Sequence, residues 1–174
     1  MSGIASPPVV AVIAIITSLL FEARRSAANE AALLRAGARE VADASYPWMR
    51  VAYPAGFLAV CLEGWWRAPA WDVWAVVGVA VFVAGKAIKY AAIAALGARW
   101  TFKVIVVPDA PLVAHGVYRL LRHPNYVGVA GEVIGSAMWL HAPIAGTLFA
   151  VTFGIILLLR IRIEERALGL APRP

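Results

Sequence analysis

The sequence predicts an all-α integral membrane protein: a five-helix transmembrane bundle with a structured cytoplasmic loop between helices 3 and 4. Three observations carry that prediction. Apolar residues make up 62% of the chain and mean hydropathy is +0.77, whereas soluble domains run near ~45–50% apolar. A soluble fold of 174 residues has no interior large enough to hide that surface. The apolar residues gather in five stretches, and the basic residues fall in alternate connections between them.

The first stretch runs from Ile4 to Phe21. It has no basic n-region, and Phe21-Glu22-Ala23-Arg24 is a poor small-residue cleavage site, so it reads as a span and not as a signal peptide. Glu22 to Val41 follows, rich in alanine and in charges of both signs. It reads as an amphipathic helix on the membrane surface or as a solvated connector. The second stretch is roughly Tyr46 to Trp65 and the third is Trp71 to Leu96. The fourth, about Tyr126 to Leu140, is short against the ~20 residues a span needs, which suggests a tilted or partial crossing. His141-Ala142-Pro143 joins it to the fifth, Pro143 to Leu159, as a tight helical hairpin. The whole chain, 1–174, reads as one domain. The single cysteine, Cys61, excludes a disulfide framework and a multi-cysteine metal site.

Orientation follows from charge. Arg24, Arg25, Arg35, Arg39 and Arg50 flank the first connection, and Arg99, Lys103, Arg119 and Arg122 the third. Arg160, Arg162, Arg166 and Arg173 lie in the tail, while the other connections hold only Arg67. The positive-inside rule then places the N-terminus outside and the C-terminus inside, with the polar segments on the cytoplasmic face of what reads as a bacterial inner membrane. The same distribution argues against nucleic acid as a partner, because the positive charge is spread over membrane-flanking loops.

The third connection, Gly97 to Asn125, is longer than packed helices need. An extended piece is expected at Lys103–Val107 and a short helix around Val117–Leu121. At Arg122-His123-Pro124-Asn125-Tyr126, the proline disfavours a helical His123 and suits the first turn of the next helix. That holds His123 at the mouth of the fourth span, beside a helix N-terminus suited to anions. Tyr118 and Tyr126 suit packing on a flat ring. At the end of the fifth span, Arg160 and Glu164 are four apart and share a helix face, and the short hairpin brings them beside His123. Glu132, Lys86 and Lys89 lie at membrane depth, where ionisable groups are functional suspects. They read as a buried Glu–Lys pairing or as a polar cavity lining. Glu63 and Asp72 read as interface residues of the opposite face. No phosphate-binding loop, Rossmann turn or metal-ligand spacing is present, so no metal is expected.

Gly116-Val117-Tyr118-Arg119, Arg122-His123-Pro124-Asn125-Tyr126-Val127-Gly128, Arg160 and Glu164-Glu165-x-x-Leu168 together resemble the isoprenylcysteine carboxyl methyltransferase family. The likeness covers roughly Lys103 to Leu168, with a cofactor-binding part at about 101–168. The N-terminal half looks like a bacterial subgroup, some members of which methylate alkylated phenols or pyrones. The resemblance implies S-adenosyl-L-methionine as methyl donor. It would be bound by Lys103, Ala110, Pro111, Leu112, Val113, Tyr118, His123, Pro124, Asn125, Tyr126 and Glu164, with Arg160 facing a lipophilic small-molecule or prenylated substrate drawn from the membrane lipid. The tail runs to Pro174 without the FGxxYxxY stretch of eukaryotic members, which points away from a prenylated protein. A carboxylate acceptor is already ionised and would be oriented by Arg160. A phenol, with a pKa near ~10, would draw on a base such as His123 or Glu132. Two other classes fit parts of the pattern. One is an NADPH-dependent sterol-type reductase, although Val129 stands where those enzymes carry an acidic residue. The other is a non-catalytic membrane subunit.

Overall fold

The computed structural model describes residues 6–170; Ile4, Arg173 and Pro174 lie outside them. Among these residues the chain forms five α-helices, two short strands and two 3₁₀ turns. Helix α1 spans Pro7–Arg35, α2 Tyr46–Arg67, α3 Val73–Leu96, α4 Pro124–Trp139 and α5 Pro143–Ala167. Three of them are long and apolar enough to cross a membrane: α1, α3 with its 3₁₀ extension to Arg99, and α5. Helix α4 has 16 residues, or about 24 Å at ~1.5 Å per residue, less than the ~30 Å of a bilayer core.

Helix α1 corrects one expectation. Glu22 to Arg35 is helical, as one of the two readings had it, but it is the unbroken continuation of the first apolar stretch and not a separate helix. The segment is alanine-rich and has no helix breaker before Gly37. That glycine takes φ 88°, which lets the Ala38 N–H reach the Leu33 carbonyl at 3.0 Å and ends the helix. Helix α5 likewise overruns its expected end by two turns, so Arg160 and Glu164 stand on the same rigid rod as the apolar span.

Helices α3 and α4 pack most closely. A Cβ on Gly78 would meet the Trp139 backbone N at 2.2 Å, and one on Gly135 the Phe82 backbone N at 2.4 Å. Gly85 and Gly128 face one another with similar clearance. Small residues at such a crossing let backbones touch, which is how helices associate where no hydrophobic effect separates them from lipid. Gly135→Val is therefore expected to force the pair apart and to cost at least the ~1–3 kcal/mol typical of overpacking. A lowered thermal midpoint in detergent checks this, and an unchanged midpoint would contradict the close approach.

At one end of the bundle, carboxylates cap helices. Asp72 accepts from the Ala75 N–H at 2.8 Å at the start of α3, and Glu63 of α2 accepts from the Ala145 N–H at 2.6 Å at the start of α5. At the opposite end, strand β1 (Arg39–Glu40) pairs antiparallel with β2 (Ile105–Val106). The expected extended piece thus forms, but its partner is the linker after α1. The expected helix near Val117 is a 3₁₀ turn, Gly116–Arg119.

The bundle interior contains a closed set of charges. Lys86 lies 2.8 Å from Glu22 and 2.9 Å from Glu132, and Lys89 lies 2.6 Å from Glu22 and 3.3 Å from Glu132. Tyr53 donates to Glu132 at 2.7 Å and accepts from Lys89 at 3.1 Å. Two cations and two anions from α1, α3 and α4 cancel, and α2 supplies the phenol. Both glutamates are fully buried. The Glu–Lys pairing anticipated from the sequence thus has a second carboxylate, Glu22, on a helix segment expected to lie at the surface.

Candidate active site

The site begins with how the end opposite the helix caps is tied together. The Asn29 side chain donates to the carbonyls of Trp100 (2.7 Å) and Gly97 (3.2 Å), and the Ser26 hydroxyl accepts from the Phe102 N–H at 2.7 Å. The overrun of α1 is therefore a post on which the third loop is hung. Trp100, now fixed, donates its indole N–H to Asn125 Oδ1 at 3.1 Å. Arg99 donates to the Pro111 carbonyl at 2.7 Å and holds the 108–113 segment over the opening.

Pro124 starts α4, and His123 sits just before it at φ −129° and ψ 62°, outside the helical region. The N–H groups of Tyr126 and Val127 donate to the His123 carbonyl at 3.1 and 3.2 Å. One N–H of this helix end, that of Tyr126, is thus used internally. Side chains join α4 to α5 instead. Tyr126 donates to Glu164 at 2.5 Å and accepts from Arg160 Nε at 3.3 Å, while His123 Nε2 lies 3.0 Å and Arg122 Nε 3.2 Å from Glu165.

A cavity of about 310 Å³ lies under the third loop. Lys103, Ala110, Pro111, Leu112, Val113, Tyr118, His123, Asn125, Tyr126, Arg160 and Glu164 all line it. Pro124 does not: it is buried behind the wall as the first residue of α4. Burial, with the Glu164 charge adding to it, pushes the Tyr118 phenol well above its ordinary value. Tyr118 is therefore an uncharged ring at any working pH. Lys103 is held above its ordinary value by its hydrogen bond to Glu40, an exposed contact at 3.0 Å.

A second cavity, about 260 Å³, opens between α1, α2 and α5. It is mostly apolar, with Leu19, Met49, Pro54, Val129, Phe153 and Leu157 in its wall. Trp100, Thr101, Asn125, Tyr126 and Arg160 line both cavities, so the two abut there. Glu132 is not brought to either. It belongs to the interior charge set, where two lysines and Tyr53 occupy its carboxylate. That removes it as a base for an acceptor in these cavities.

Arg160 has a partner that sequence reasoning missed. Its NH1 group donates to Asp43, its NH2 group to the Phe102 carbonyl, and both Arg160 and Asp43 side chains are 4% exposed. Asp43 sits in the linker between β1 and α2, 117 positions away in sequence and in no motif. Trp100, Asn29 and Ser26 were missed for the same reason: each acts across a sequence gap that local spacing does not reveal.

Comparison with known proteins gives an independent result. Residues 76–170 match the model of the isoprenylcysteine carboxyl methyltransferase (ICMT) family. An uncharacterized protein of Bacillus subtilis, YpbQ, is 30% identical over 149 residues, covering 80% of this chain and 83% of that one. An uncharacterized protein of Haemophilus influenzae is 24% identical over 142 residues, 81% of this chain and 83% of its own. Protein-S-isoprenylcysteine O-methyltransferase A of Arabidopsis thaliana is 36% identical over 90 residues, 51% of this chain and 46% of the plant enzyme. No solved structure matches.

Proposed function

The chain belongs to the isoprenylcysteine carboxyl methyltransferase family, and on that footing we propose that it moves a methyl group from S-adenosyl-L-methionine to an oxygen of a lipophilic acceptor. The observation that carries this reading is the junction of two unlike cavities. The loop cavity combines an apolar shelf at Ala110–Val113, the uncharged Tyr118 ring and the Glu164 carboxylate. That set suits a molecule with a flat base, hydroxyls and a cationic centre. The second cavity suits an alkyl chain. Asn125, Tyr126 and Arg160 stand where they meet.

The donor supplies an electrophilic methyl on a sulfonium. The acceptor oxygen attacks the methyl carbon, a C–O bond forms, the C–S bond breaks, and sulfur keeps the electron pair. Holding the three atoms in line supplies much of the acceleration. In this chain that task falls to the rigid α4–α5 junction, where Tyr126 is tied to Glu164 and Arg160. His123, bound to Glu165, is the remaining base candidate from the sequence. The acceptor's tail would enter sideways between α1 and α2, past Leu19, Ala23, Met49 and Arg50. The distribution of arginines supports a cytoplasmic placement of this end, from which a soluble donor has access.

Isothermal calorimetry with S-adenosylhomocysteine on the purified protein tests the reading. Saturable one-site binding is expected. No binding to protein that still melts cooperatively would overturn it.

A further inference from the structure

We infer that Asp43 sets acceptor specificity: it occupies Arg160 as a fixed internal counter-ion and so selects an acceptor whose reacting group arrives uncharged, a weakly acidic hydroxyl rather than a carboxylate. The inference rests on the methyltransferase reading and sharpens it.

Every nitrogen of the Arg160 guanidinium has a partner: Nε has the Tyr126 hydroxyl, NH1 has Asp43, and NH2 has the Phe102 carbonyl. The guanidinium is almost wholly buried, and so is the carboxylate that neutralises it. Arginine recognises a carboxylate best through two parallel N–H groups on one open edge. That approach would bring a second anion beside Asp43, in surroundings where like charges repel far more strongly than in water.

Asp43 has little room to withdraw. Its Oδ1 accepts from the Ser45 N–H at 2.8 Å and from the Ser45 hydroxyl at 2.5 Å, immediately before α2. On its other side the Val41 N–H donates to the Val104 carbonyl at 2.9 Å, and β1 pairs with β2 two residues earlier. The linker is thus pinned both before and after Asp43, and the aspartate is held in place against Arg160. An acceptor hydroxyl reaching Tyr126 and Arg160 meets a neutral pair with no repulsion. Its proton leaves for water as the C–O bond to the methyl forms, so no full anion stands beside Asp43, and the C–S electrons remain on sulfur. Asp43 is a positioning residue in this scheme, acting through Arg160.

The full chain in detergent micelles, given methyl-labelled donor and two acceptors with one tail, 4-dodecylphenol and 4-dodecylbenzoate, tests this. The wild-type protein is expected to favour the phenol by about tenfold or more, the ratio that ~1.4 kcal/mol of discrimination produces. Asp43→Asn uncovers the Arg160 charge and is expected to shift the phenol-to-benzoate ratio toward benzoate by a similar factor. Asp43→Glu is expected to keep the wild-type order. S-adenosylhomocysteine binding should stay within about twofold throughout, because Asp43 does not line the loop cavity. A wild-type preference for benzoate overturns the inference. So does a ratio unmoved by Asp43→Asn, or labelling of neither acceptor by protein that binds S-adenosylhomocysteine. Should Asp43→Asn fail to fold, the wild-type ratio alone decides. Loss of S-adenosylhomocysteine binding by the wild-type protein would instead strike the methyltransferase reading itself.

Discussion

Replacing Glu132 with alanine is expected to destabilise the protein by about 3–5 kcal/mol, the range found when one member of a buried ion pair is removed. The reason is the closed arithmetic of the interior charges. Lys86 and Lys89 each face both Glu22 and Glu132, and no solvent reaches the glutamates. Without Glu132 two ammonium groups share one carboxylate, and the Tyr53 hydroxyl loses its acceptor. For a chain of this size each kcal/mol is roughly 2–4 °C of thermal midpoint, so a fall of about 10 °C in detergent is expected. The companion is the double variant Glu132→Ala, Lys86→Met. It leaves Glu22 opposite Lys89 alone and should recover more than half of the loss. An additive double variant would show that the four charges do not act as one unit.

Glu164→Ala is expected to weaken S-adenosylhomocysteine binding by roughly 10- to 100-fold, because a hydrogen bond to a charged group contributes ~1.5–3 kcal/mol and each 1.4 kcal/mol is tenfold in affinity. Glu164 lines the loop cavity and accepts from Tyr126 at 2.5 Å, so it both faces the proposed donor and fixes a ring at the junction. Tyr126→Phe removes only the second role and should cost less. Arg67→Ala breaks an ion pair with Glu63 at the far end of the bundle and should leave the affinity unchanged. Equal affinities for Glu164→Ala and Arg67→Ala, measured by calorimetry, would remove Glu164 from the donor site.

Much of the architecture is written in local pattern. Pro124 and Pro143 start helices where their fixed φ suits a first turn, and the arginine-bearing end of α5 is helical because nothing in Arg160–Ala167 breaks a helix. The i, i+4 relation of Arg160 and Glu164 was legible for the same reason, as was the crowding of chemistry into the segment around His123–Tyr126. The helix ends were less legible. Hydropathy falls at Phe21 and Leu159, but hydrogen bonding does not stop where apolarity does, so α1 and α5 each run on.

By itself, then, the sequence determined a membrane-embedded helical protein, its family and the two stretches that bound the loop cavity. All of these follow from composition, short spacings and ordered motifs. The tertiary structure alone decided the pairings. It chose the Glu–Lys pairing over the cavity lining for Glu132 and added Glu22 to it, made the end of α1 the support for Trp100, and set Asp43 against Arg160. Each of those is a long-range polar contact, and its partner is chosen by what a buried charge or N–H meets once the helices pack. A buried polar group must be satisfied, but periodicity cannot say by which residue, because the partners lie tens of positions apart.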